Sequence, residues 1–251
     1  MIELPIPSGL APILLVAFLT YCRVQACLLV MPGFSMQVVP LRVRVALALA
    51  ITPLLSERSR MPGDIELLPF ALLCGAEIVT GLVLGGIVRI FAMGLDVTAS
   101  AIAATASLSQ IIGVTNEFAP HPIGNILNLA GIALLMALGY PQLLCDFLHQ
   151  SLSLRPIGHW PEIAELVPHV LGLLRRAFIL ALLLASPFIL GGLLFQLLSG
   201  IVSKAMPALP VMFVAAPAAI LMALLALVVL APAILSIWAQ AVLDVMISIR
   251  P

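Results

Sequence analysis

Residues 203–217 read SKAMPALPVMFVAAP, and they interrupt the most apolar region of the chain. Lys204, Pro207 and Pro210 stand between two long oily stretches, Val167–Met206 and Val211–Ile249, with Pro217 just inside the second. Proline has no backbone N–H and its ring clashes with the preceding turn, so two of them three residues apart end a helix. The stretch is therefore predicted to be the bend of a helical hairpin, with Pro207 and Pro210 setting the turn. Two apolar helices joined by a short polar break define a membrane-type fold, and the rest of the chain bears on that reading.

The composition agrees with it. The chain has 251 residues, of which 63% are hydrophobic and 9% charged, and its mean hydropathy is +1.25. Soluble domains are about 45–50% apolar and about 25% charged. A chain this oily meets lipid or other protein over much of its surface. Its 11 basic and 11 acidic residues cancel, which leaves no basic patch for nucleic acid. No run of basic residues reads as a headgroup tether. Cys22, Cys27, Cys74 and Cys145 sit singly in apolar stretches and read as small buried hydrophobes, not as a disulfide framework. The opening MIELPIPSGL lacks a basic region, so the first apolar segment is expected to remain in the mature protein.

The remaining apolar segments are Leu10–Met31, Leu41–Leu55, Ile65–Met93, Leu95–Val114 and Ile123–Leu148. None shows strand-like alternation, and the predicted class is all-α: polytopic, membrane-associated helix hairpins with kinked and broken helices. A span needs about 20 residues, so Val167–Met206 is expected to fold in two near Ser186-Pro187 or Gly191-Gly192. The polar stretches Ser56–Glu66 and Ser151–Glu165 read as connectors. Loop arginines fall on both sides of the short second segment, so the positive-inside rule fixes no orientation.

Charges inside the oil are informative. Arg23, Glu77, Arg89, Asp146 and Arg175-Arg176 all fall within apolar segments, where each costs about 2.5–3.5 kcal/mol at a helix centre. Glu77 and Arg89 are twelve residues apart and cannot pair along one helix. Their partners are expected on other helices or other chains. The many internal prolines add freed carbonyls that hydrocarbon does not satisfy, which predicts a chain surrounded by protein for much of its length. Glu77, Gly81 and Gly85 lie four residues apart, so two glycines form a groove for a second backbone with the glutamate at its rim. Glu77 reads either as a proton carrier or, preferred, as half of a structural pair between subunits.

Chemistry-bearing patterns are sparse. His121, His149, His159 and His169 lack the spacing of a metal helix, and no cofactor is expected. There is no nucleophile elbow or phosphate loop; Asp96 and Asp244 remain as isolated carboxylates. The segment QIIGVTNEFAPHP, Gln110–Pro122, has no helical pattern. It reads as an exposed connector or as a re-entrant loop lining a cavity, since irregular backbone at membrane depth survives only there.

Taken in order, Arg23, Pro32-Gly33, Pro40, Arg42-x-Arg44, Glu77-x-x-x-Gly81-x-x-x-Gly85, Ser151-x-x-x-x-Pro156-Ile-Gly158, Lys204-x-x-Pro207, Val211-x-Phe213 and Pro217 resemble the FliR family of flagellar export-gate proteins and its injectisome counterpart, SctT. The likeness spans nearly the whole chain. Three positions depart from the family pattern: Ala208 replaces its glutamine, Ala99–Ser109 lacks its glycines, and Gly139-Tyr140-Pro141 replaces its Gly-Gly-His.

The resemblance implies a single export-gate domain with hairpin halves at 1–122 and 123–251. It implies a non-enzymatic subunit of a type III protein export gate in the bacterial inner membrane, within the flagellar basal body or the injectisome base. FliP-like and FliQ-like subunits, an FlhB-like switch protein, membrane lipid and transient unfolded export substrates are the implied partners. Gln110, Ile111, Ile112, Phe118, Pro120 and Pro122 match the family's pore-closing loop in position. Glu77, Gly81, Gly85, Lys204, Pro207, Phe213 and Pro217 are the expected packing and bend residues. The alternative is a secondary transporter, for which broken helices and buried charges also serve, although no two halves show matching breaks. An intramembrane hydrolase is a third reading and lacks a recognisable nucleophile.

Overall fold

The computed structural model describes residues 10–35, 39–56, 67–105, 122–206 and 211–248. Within them the chain is all helical. α1 is Leu10–Val30, α2 Leu41–Ser56, α3 Leu67–Thr105, α4 Pro122–Ala137, α5 Tyr140–Leu154, α6 Ile163–Ala205 and α7 Val211–Ser248. Four of them, α1, α3, α6 and α7, are long and apolar enough to cross a membrane.

Helix length departs from the expected segmentation in three places. The third and fourth apolar segments fuse into the 39-residue α3. Gly94, at their junction, stays helical, and a Cβ there would meet nothing nearer than Ala181, at 3.7 Å. The expected fold at 186–192 is absent: α6 runs unbroken for 43 residues. Pro187 cannot donate to the carbonyl of Leu183, but the Ser186 hydroxyl does so at 2.8 Å. One side chain thus supplies the hydrogen bond that the proline removes. The fifth segment, by contrast, breaks at Leu138-Gly139, where Gly139 has φ +86° and Pro141 enters the first turn of α5. A left-handed glycine turns the chain at no steric cost.

The described residues form two compact units. The first draws on 1–89, 139–173 and 243–251, the second on 90–138 and 174–242. In the first, α1 and α2 pack together, and Val16, Leu19 and Ile157 make a core patch covered by Phe70, Leu73, Cys74 and Leu152. Pro32-Gly33 turns the chain after α1, with Gly33 at φ +85°. The Pro32 carbonyl accepts the Tyr140 hydroxyl at 3.1 Å, and Phe34 stacks on the Tyr140 ring. In the second unit Trp238 is buried and donates its indole N–H to the Phe91 carbonyl at 3.2 Å. Its ring fills the space above Gly131, where a Cβ would come within 2.8 Å. Residues of α6 between 187 and 195 and of α7 between 219 and 226 line a small cavity of ≈ 80 Å³ there.

Candidate functional site: a buried ion pair and its helix cap

The first unit holds a polar knot inside an apolar body. Arg23 of α1 and Glu77 of α3 are both 0% exposed. The Arg23 Nε–H donates to Glu77 Oε2 at 2.6 Å, and Nη2 donates to Oε1 at 3.0 Å. This is the side-on, two-pronged geometry that makes guanidinium–carboxylate pairs strong and directional. Expected on another helix or another chain, the partner of Glu77 is on a neighbouring helix of the same chain.

The rest of the guanidinium is used too. Nη1 donates to the carbonyls of Ser151 at 3.0 Å and Arg155 at 3.0 Å, and reaches the Ser151 hydroxyl at 3.4 Å. These carbonyls belong to the last turn of α5 and its cap: that of Ser151 also accepts the Arg155 N–H at 3.0 Å, and that of Arg155 lies beyond the helix end. A cation here also meets the negative end of the helix dipole. Glu77 Oε1 accepts one further bond, from the Gly158 N–H at 2.9 Å. Gly158 has φ +91°, a backbone conformation that glycine adopts without strain. One ion pair thus ties α1, α3 and the turn after α5 together, with its polar atoms bonded as burial demands.

The glycine stripe completes the joint. A Cβ on Gly81 would fall inside contact distance of the Arg23 carbonyl, and one on Gly85 would lie 2.6 Å from the Cys27 carbonyl. The backbone that approaches this groove is α1 of the same chain. Arg89 donates to the Ser35 hydroxyl at 3.0 Å and to the Val30 carbonyl at 3.4 Å, so it caps α1 as Arg23 caps α5.

Other expected site residues scatter. Gln110, Ile111, Ile112, Phe118, Pro120 and Pro207 lie outside the described residues. Pro122 opens α4, where a missing N–H costs nothing. Lys204 is in the last turn of α6 and exposed, while Phe213 and Pro217 belong to α7. Pro217 therefore sits inside a helix, and residues 207–210, where the bend is expected, lie outside the described residues. In the second unit Asp96 Oδ1 accepts from the Asn128 amide at 2.6 Å. Ser151, Arg155 and Gly158 were not foreseen as one site; the signal was the helix-ending Pro156-Ile157-Gly158 turn.

An all-helical chain with several membrane-length apolar helices and a fully bonded internal ion pair is a polytopic membrane protein. Residues 14–245 match the family described as "Bacterial export proteins, family 1", and the chain belongs to that family, the FliR family. It is 27% identical over 230 residues to the flagellar biosynthetic protein FliR of Caulobacter vibrioides, covering 89% of this chain and 91% of that protein.

Proposed function

We propose that this chain is a non-enzymatic subunit of the flagellar type III protein export gate in the bacterial inner membrane. There it helps form and close the pore for unfolded export substrates, beside FliP-like, FliQ-like and FlhB-like proteins. The family match and the name of the Caulobacter relative support the flagellar system. The observation that carries the reading is the combination of length and bareness in α6 and α7. At about 1.5 Å per residue, α6 with 43 residues and α7 with 38 are each roughly 60 Å long, twice the ~30 Å hydrocarbon core. Only 22% of an 18-residue apolar stretch of α6, and 11% of one in α7, is buried within the chain. Apolar surface beyond the reach of lipid is stable only under other protein.

Segment 110–122 is assigned to pore closure by its position in the family pattern. Photoreactive residues placed at Leu190, Leu194, Leu225 and Val229, all exposed apolar positions, test the reading in cells. Adducts with small hydrophobic export subunits are expected. Adducts with lipid alone at all four positions contradict it.

A further inference from the structure

The first unit contains a cavity of ≈ 380 Å³ beside the ion pair, with Ser151 and Arg155 in its wall. This is within the usual range of small-ligand sites, about 300–1,000 Å³. Val83 and Ile87 of α3, Leu154 at the end of α5 and Val170 of α6 line it with hydrocarbon, and Arg155 and His169 supply its ionisable side chains. Among the described residues, none of those lining it is a carboxylate. Among the described residues, no carboxylate lies within ion-pair distance of the Arg155 guanidinium. The backbone carbonyl of Arg155 is held by Arg23, which fixes this residue at the cavity.

The position of the cavity along the helices narrows its occupant. Its α6 wall, residues 166–170, is the beginning of the apolar span Leu166–Ala205. The connector just before it, Arg155–Glu162, is polar and carries Trp160, which is 53% exposed. Polar connector, exposed tryptophan and span start together mark a membrane–water boundary. A groove there, apolar along its length and basic at one side, matches an acyl chain carrying an anionic headgroup.

We infer that this cavity binds one anionic phospholipid, with an acyl chain along Val83, Ile87 and Val170 and its phosphate at Arg155 and His169. The inference requires only that the chain spans a membrane, and stands apart from the pore reading. The full-length protein, with whatever subunits accompany it, is reconstituted in phosphatidylglycerol and phosphatidylcholine, extracted in mild detergent, and its retained lipid is measured by native mass spectrometry. One retained phosphatidylglycerol is expected. Arg155→Gln lowers its retention about fivefold, the effect of one basic group at an anionic headgroup. Leu154→Trp, which fills the cavity, also lowers it, while Arg155→Lys and the surface control Arg175→Gln keep it. Because Arg155 joins the polar knot through its carbonyl, these side-chain variants leave the knot intact. Equal retention in Arg155→Gln and Leu154→Trp overturns the assignment. So do equal retention of phosphatidylcholine, displacement by inorganic phosphate alone, and a photoreactive residue at Leu154 that captures a protein segment instead of lipid.

Discussion

Glu77 and Arg23 show how a single residue pair is made tolerable in oil. Each alone is a buried charge, and removing either strands the other, a loss of about 3–5 kcal/mol. Glu77→Ala and Arg23→Ala are therefore expected to unfold at much lower temperature than wild type, measured on the detergent-solubilised protein. Exchanging the two residues is not expected to restore stability. The arginine also caps α5 through Ser151 and Arg155, and a carboxylate in its place repels the same carbonyls. Recovery in the Arg23→Glu/Glu77→Arg double variant contradicts the capping role. The glycines divide in the same way. Gly81→Ala and Gly85→Ala drive a methyl into α1, whereas a Cβ on Gly86 meets nothing within 4 Å. Gly86→Ala should be neutral or stabilising by up to about 1 kcal/mol through helix propensity, and equal damage at all three positions contradicts the proposed contact.

Among the elements, α6 carries the clearest test. At Pro187 the Ser186 hydroxyl bonds the Leu183 carbonyl. Ser186→Ala leaves that carbonyl unpaired and should cost about 1 kcal/mol; Ser186→Ala in a Pro187→Ala background should cost little, because the backbone N–H returns. The bend expected at Pro207 and Pro210 is tested by Lys204→Leu and Pro207→Ala. Both are expected to reduce co-purification with partner subunits and to reduce export, and wild-type behaviour in both assigns no role to the bend.

Much of the helical class was readable from apolar runs, and the end of α1 at Pro32-Gly33 was readable from turn chemistry. Segment boundaries were less so. Hydropathy cannot distinguish a helix that passes through Gly94 or Pro187 from one that stops there, because neither the Ser186 hydroxyl bond nor the contact at Gly94 enters a hydropathy sum. The site was half legible. Arg23 and Glu77 stood out as charges needing partners, but 54 residues separate them, and no local spacing rule joins them. The role of Gly158 depends on a backbone N–H, which sequence does not display.

For the whole molecule, the two C-terminal long helices pose the central question. They are too long for the bilayer and too bare for water, and Gly172, Gly191 and Gly200 along α6 have open space where a Cβ would stand. In the isolated chain, alanine at those positions is expected to leave stability unchanged or raised. On the proposed reading partner helices approach there, so in cells the same substitutions are expected to weaken assembly, and unchanged subunit recovery contradicts that placement. The most direct measurement is the mass of the particle extracted from its native membrane in mild detergent. A complex of this chain with small hydrophobic subunits in a fixed, unequal ratio is the predicted result. A solitary, monodisperse chain extracted from cells fully competent for export contradicts the account.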